Sequence, residues 1–304
     1  MTSADWRSPD LGPARTIDLG GDRRIRAHVT GEGPAIVFVH GALVNANLWR
    51  KVVPRLDGFK RVALDLPLGS HLEAMPKDAD LTPPALADLI ADALESLGLD
   101  QVTLVGNDTG GALTQLVATR RPERVGAIVL TSCDAFESFP PRFFKIALAP
   151  GKIPGAIPIA FGGLRFRPMR RLPIAYGWLS NEPAEPEVSD SYVLPVLTRG
   201  AIRRDTRKLL RGLDPAYTLD AAAKLAQWDR PALIAWSAND RFFPTEHAER
   251  LAKLIPGARL EWIEGARTFS AEDAPERLAS VIGEFVNSSN QGRPAATVGT
   301  GFKQ

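Results

Sequence analysis

The chemistry of this chain concentrates in one stretch, Gly106-Asn107-Asp108-Thr109-Gly110. It separates an apolar run, VTLVG, from the helical pattern GGALTQLVATRR, so it reads as a tight turn from a strand into a helix. So sharp a turn needs small residues around its tip, and Gly106, Gly110 and Gly111 supply them. The tip side chain belongs to Asp108. It stands at a helix N-terminus, whose free N–H groups favour negative charge. A carboxylate placed there can attack an electrophilic carbon or move a proton.

Either use needs partners. Backbone N–H groups of Ala42, after the strand in VFVHGA, and of Thr109 form a candidate cradle for an oxyanion or halide. Asp240, in WSANDRFFP, is a second acid at a strand end, and Asp134 closes another strand. A general base is harder to find among only four histidines. His28 lies in an early strand. His40 sits in the turn after a strand, where it shapes the loop. His247 follows Asp240 on a helix and is expected to point away. His71, in LDLPLGSHLE, follows a strand whose carboxyl end faces the same side as Asp108, which makes it the best candidate for a base or a substrate contact.

The elements that must hold these residues alternate. Runs 23–30, 35–39, 61–66, 102–106, 127–131, 232–236 and 259–263 read as strands, several apolar throughout, as in a parallel sheet covered on both faces. Helical patterns separate them. One opens with Thr82 as cap and proline at its first position, another stops at Pro122, and TEHAERLAKL and PERLASVIGEFV close the series. The expected fold is α/β, a doubly wound and mostly parallel sheet. The rhythm breaks between 134 and 221, where proline, glycine and arginine are frequent and all three tyrosines, Tyr176, Tyr192 and Tyr217, occur. This segment is expected to be a helical cap inserted after the sixth strand of the sheet. The core is then 1–133 and 222–287, with a disordered tail at 288–304. Within the cap, FFKIALAPGKIPGAIPIAFGGL is apolar and proline-broken, suited to line a channel for a hydrophobic molecule. Trp49, Phe136, Trp178 and Phe269 are candidate walls.

Composition narrows the function classes. A net charge of +2 argues against bulk binding of nucleic acid. No run approaches the roughly 20 apolar residues of a membrane span, so no membrane partner is expected. The N-terminal residues lack the apolar centre of a signal peptide, and the lone Cys133 excludes an internal disulfide and a cysteine metal site, so the protein is expected in the cytoplasm. No phosphate loop, nucleotide fingerprint or metal-ligand cluster appears, and no cofactor is expected. The expected partner is a hydrophobic small-molecule substrate, with a homodimer as the one assembly considered. The cap is basic, and that excess is read either as a solvated face or as attraction for an anionic or electron-rich ligand at the pocket mouth.

The pattern G-x-Asp-x-G between strand and helix resembles the nucleophile elbow of the α/β-hydrolase fold. The His-Gly segment at His40, the acid loop at Asp240 and the loop GARTFSAEDAP strengthen the resemblance, which spans roughly 23–286. An aspartate at the elbow is similar to the haloalkane dehalogenase and epoxide hydrolase branch. There the resemblance implies an ester on Asp108 that histidine-activated water cleaves. The family's histidine loop usually reads G-x-G-His-Phe, and Thr268 stands at the histidine's place, between Arg267 and Phe269. A threonine hydroxyl is no general base near neutral pH, and that assistance is typically worth about 10²–10⁴ in rate. Other markers of the branch also differ. Thr109 stands where dehalogenases carry a halide-holding tryptophan, Ala42 where many carry asparagine, and Gly110 and Gly111 where fluoroacetate dehalogenases carry arginines. The cap tyrosines keep an epoxide-opening role open. Arg267 could enter the space of the missing imidazole to meet Asp240 or a substrate oxyanion, and Thr268 could donate to Asp240. The reading that follows is a non-hydrolytic enzyme with Asp108 as acid or base. It would act by proton transfer, addition or carbon–carbon bond formation on an aromatic or polyketide-like molecule. The alternatives are a hydrolase served by His71 and a binding protein without catalysis.

Overall fold

All of the apolar runs become strands of one sheet. The computed structural model describes residues 3–291 except 148. The strands are β1 (Ala14–Asp18), β2 (Arg24–Thr30), β3 (Ala35–Val39), β4 (Lys60–Asp65), β5 (Val102–Asp108), β6 (Val125–Cys133), β7 (Ala232–Ser237) and β8 (Arg259–Ile263). They form an 8-stranded sheet in the order β1-β2-β4-β3-β5-β6-β7-β8. β2 runs antiparallel to β1 and β4, and every other pairing is parallel. β6 is buried along its whole length, its two polar residues Thr131 and Ser132 included, whereas the edge strand β1 buries only Ile17.

The helices are α1 (Pro83–Ser96), α2 (Thr109–Arg120), α3 (Arg142–Ala147), α4 (Ile157–Ala160), α5 (Pro186–Thr198), α6 (Gly200–Gly212), α7 (Pro215–Leu225), α8 (Thr245–Leu254), α9 (Ser270–Asp273) and α10 (Pro275–Gln291). Thr82 does hold the N-cap of α1, although its side chain makes no capping bond, and two prolines follow it. Between β3 and β4 the chain steps one way across the sheet, and from β5 onward it steps the other way. Right-handed crossovers then place α1 and α2 on the face opposite the 3-10 turns of the β3–β4 connection. Helix α10 packs on the second face, beside one of those turns. The reversal falls between β3 and β5, so the carboxyl ends of these two strands border the crevice where such sheets bind ligands.

The cap is built mainly of short helices and 3-10 turns from α3 onward, with α5 and α6 as its longer elements. Helix α7 packs against α2, so the chain has returned to the core by Asp214, before the boundary expected at 221. Helix α10 continues to Gln291, so the tail expected to be disordered from 288 begins as helix, and its remainder lies outside the described residues.

Candidate active site

Asp108 ends β5 with φ 55° and ψ −131°, a left-handed backbone that an L residue adopts only when its surroundings enforce it. The enforcement is steric. A Cβ on Gly106 would lie 2.5 Å from the Gly110 carbonyl, and one on Gly110 would lie 2.3 Å from the Val39 carbonyl. The turn can therefore press against β3 only while both stay glycine. Gly41 faces the other side of the tip, where a Cβ would strike the Asp108 carboxyl at 2.0 Å.

Burial pushes the Asp108 carboxyl up to about 7, and the charge of Asp240 pushes the same way, while hydrogen bonds from the backbone N–H groups of Thr109 and Ala42 pull it back. Those N–H groups are the cradle read from the sequence. They are engaged by the Asp108 carboxyl itself, rather than left free for an oxygen of another molecule.

Asp134 follows β6, and its backbone N–H donates to the Asp108 carbonyl over 3.3 Å. Its Oδ2 accepts from Thr109 Oγ1 at 3.2 Å, and its Oδ1 is buried without a partner. Burial, followed by the charge of Asp108, raises this carboxyl well above the ordinary range, which favours its protonated form. Asp108, Thr109 and Asp134 line one cavity of about 160 Å³ with Ala42 and Tyr176. The rest of its wall is apolar and includes Pro140, Phe144, Phe161, Leu164 and Leu179. Phe144, Ala160, Phe161 and Leu164 come from the proline-broken run expected to line a channel. Tyr176 also borders a larger cavity of about 380 Å³ inside the cap, lined by Tyr192, Phe269 and several arginines. The smaller cavity is the one that holds the acidic groups.

Asp240 lies after β7. Its Oδ1 accepts from the N–H groups of Phe242 and Phe243 at 2.8 and 2.9 Å and from Thr268 Oγ1 at 3.1 Å. Burial raises its carboxyl, against the opposing pull of those donors. Thr268 is fully buried, and its carbonyl accepts from Asn107 Nδ2 at 2.8 Å. Asn107 thus ties the turn tip to the loop 265–269, and the Thr268 hydroxyl ties that loop to the acid loop.

The family model described as the alpha/beta hydrolase family matches residues 36–281, from β3 into α10. The chain belongs to this family. Haloalkane dehalogenase 2 of Mycobacterium tuberculosis is 28% identical over 285 residues, covering 90% of this chain and 96% of its own. Polyketide synthase ThaQ of Burkholderia thailandensis is 28% identical over 257 residues, 83% of this chain but 12% of that much longer protein. Among solved structures, the haloalkane dehalogenase DatA from Agrobacterium tumefaciens superposes with a TM-score of 0.74 at 23% identity, covering 93% and 99% of the two chains, which speaks for the fold alone.

Within this α/β hydrolase, several residues read from the sequence lie elsewhere than expected. His71 is not at the cavity. It is buried with Nδ1 accepting from the Gly69 N–H at 3.3 Å and Nε2 facing Asp205 Oδ2 of α6 at 3.3 Å, so it ties the loop after β4 to the cap. His40 is locked between the Gly41 carbonyl at Nδ1 and the Leu66 N–H at Nε2, and burial lowers it to about 4, so it is a neutral strut of the loop. His28 bonds the Gly12 carbonyl, and His247 faces Glu137 away from the site.

Arg267 does not enter the space beside Asp240. Its guanidinium donates to the carbonyls of Gly177 and Ser180 in the cap, at 3.1 and 3.0 Å. Trp49 is a core residue packed on Phe38, Trp178 stacks with Phe143 and Phe242 at the cap edge, and Phe136 lies between His247 and Arg250. None of the three lines the small cavity, because an aromatic in a sequence does not disclose which side of its element is open. Phe269 borders the larger cavity instead. Tyr176 does reach the site and donates to the Leu43 carbonyl at 2.7 Å, whereas Tyr192 sits in the larger cavity and Tyr217 packs at the core margin. Leu43, Leu179 and Leu213 also line the cavity, and nothing in their sequence context marks them.

Proposed function

We propose that this α/β hydrolase moves protons rather than hydrolysing its substrate, with Asp108 as general base and Asp134 as its protonated counterpart. The observation that carries the reading is the pair of unlike carboxyls at one end of an apolar cavity. Asp108 is pushed up to about 7, and Asp134 beside it is raised too, with Oδ1 buried and unpartnered. Environments that push two acids apart in this way assign one as base and the other as proton donor. The expected substrate is a small hydrophobic carbonyl compound, aromatic or polyketide-like. The Asp108 oxygen not held by the cradle takes a proton from the carbon next to the carbonyl. The C–H electron pair moves to the oxygen, and Asp134 donates a hydrogen bond or its proton there. Addition or carbon–carbon bond formation would follow from the same enolate.

Two features support a non-hydrolytic course. The sequence resemblance sets Thr268 at the place of the family's histidine, and its hydroxyl is committed to Asp240. His28, His40, His71 and His247 are all held away from the small cavity. A second reading, ester formation on Asp108, is favoured by the strained elbow and by the dehalogenase relative. There a carboxylate oxygen attacks carbon, the carbon–halogen bond breaks, and halide departs with the pair. Without a base for water, the ester stays on the protein.

The test is proton exchange. The protein is incubated in D₂O with small apolar ketones, and deuterium gain beside the carbonyl is followed by mass spectrometry. Exchange is expected to rise with pH through about 7 and to fall by about 10²–10⁴ in Asp108→Asn. Intact mass after exposure to alkyl halides and epoxides decides between the readings. Exchange that survives Asp108→Asn, or an adduct on Asp108 without exchange by the wild type, overturns proton transfer.

A further inference from the structure

The outer side of the cap has a composition that the chain total conceals. Between Ser138 and Asn181 there are seven arginines and lysines and no aspartate or glutamate. The whole chain carries only +2, so everything outside this segment is net acidic. Arg167 and Arg170 are paired with Asp190. Arg142, Lys145, Lys152, Arg165 and Arg171 have no ion pair among the described residues. The same segment holds every exposed large hydrophobic side chain among the described residues apart from Leu219. Ile146 is 78% exposed, Ile159 85%, Phe166 67% and Ile174 58%.

We infer that this face of the cap docks on an anionic bilayer surface. Scattered apolar residues on a protein surface are ordinary, but a run of them in one segment, interleaved with unpaired cations, marks an interaction face. Lysine and arginine stems let the apolar tips enter the headgroup region while the charges stay with lipid phosphates. The charge selects the occupant. A second copy paired face to face would bring two cationic faces together, whereas an anionic leaflet attracts them. The expectation of no membrane partner rested on the lack of a spanning run, which does not report segregation of charge and apolar surface within the chain.

The placement has a consequence for access. The inner side of the segment lines the small cavity with Phe144, Phe161 and Leu164. Ile174 lines that cavity too, and yet it is largely exposed. The outer apolar face is thus continuous with the wall of the site, and a hydrophobic molecule dissolved in the bilayer would reach Asp108 without crossing water. This holds whichever chemistry Asp108 performs.

The test uses the full chain and sedimentation with vesicles of phosphatidylcholine alone or mixed with phosphatidylglycerol. Binding is expected only to the mixed vesicles and to weaken with salt. Lys145→Glu and Arg171→Glu should each lower the partition coefficient about fivefold or more. Ile159→Glu with Phe166→Glu should lower it further, and Leu219→Glu, outside the segment, should leave it unchanged. Equal binding to both vesicles, or none to either, overturns the inference. So does binding that survives Ile159→Glu with Phe166→Glu, which would reduce the contact to simple charge attraction. Concentration-dependent dimers that these variants dissolve, without vesicle binding, would assign the face to a second copy instead.

Discussion

The turn at Asp108 and the loop at 265–269 are joined through Asn107 and have been put to different uses. At the turn every contact bears on a reactive group: the glycines crowd it, the backbone N–H groups of Ala42 and Thr109 hold its carboxyl, and Asp134 stands beside it. In the loop Thr268 still serves Asp240 and Asn107, but Gly265, Arg267 and Phe269 all reach into the cap. Arg267 grips the Gly177 and Ser180 carbonyls, and the Phe269 N–H donates to the Leu179 carbonyl at 2.7 Å. The Asn181 side chain donates to the Gly265 carbonyl at 2.6 Å, and its backbone N–H donates to Asp273 Oδ1 at 2.8 Å. A loop that tightly fastened has little freedom to lend a side chain to chemistry. The contrast is between a strained tip kept open to the cavity and a clasp that holds the roof in place.

The sharpest way to break that contrast is to cut the clasp. Arg267→Ala removes two charge-assisted bonds to otherwise unsupported carbonyls and should cost about 1–3 kcal/mol of stability. Denaturant unfolding would show it, and limited proteolysis should cut first in the cap. The pH midpoint of proton exchange should stay where it was, because Arg267 makes no contact with the carboxyls. If stability held and the midpoint moved, Arg267 would belong to the site after all, and the two regions would not divide as described.

The turn was legible in the sequence because its geometry tolerates so few residues. Glycines at 106, 110 and 111 around a polar tip have one common structural reading, and the alternation of apolar runs with helical patterns on either side points to a doubly wound sheet. The edge strand β1 was not legible, since ARTID is polar, buries one residue and shows no alternation. The clasp was not legible either. Arg267 reaches the cap over some 90 residues of chain, and only the folded geometry sets those carbonyls beside it. Sequence position alone equally allowed Arg267 to face Asp240, and His71 to face Asp108. In each case a buried or carbonyl partner from the cap, Asp205 for His71, decided the direction. Residues whose partners are local can be read in advance, whereas those whose partners lie across the core–cap boundary cannot.

A smaller effect should appear in stability. The Asp108 carboxyl sits at about 7 in the folded protein against an ordinary value of 3.8. Between those values the folded state binds more proton than the unfolded chain, so this group's contribution falls as pH rises through the window. Asp108→Asn removes that penalty and keeps an acceptor for the cradle. It should melt above the wild type at pH 8, by roughly 2–6 °C, and the gap should close toward pH 4. An equal gap at both pH values would trace the gain to packing and deny the tip its stored electrostatic strain.

The smallest effect tests whether the two regions still communicate. The charge of Asp240 is one of the causes that raise Asp108, and Asp240 is held by the acid loop and by Thr268. Asp240→Asn keeps an oxygen for the N–H groups of Phe242 and Phe243 and for the Thr268 hydroxyl, so the local fold should persist. With the negative charge gone, the base form of Asp108 is easier to reach, and the exchange profile should move toward acid pH. The shift should be modest, because burial is the larger cause of the raised value and is left intact. No movement would mean that the turn works alone and Asp240 serves only its loop. Movement toward alkaline pH would mean that lost structure outweighs lost charge, making Asp240 part of the clasp rather than of the site.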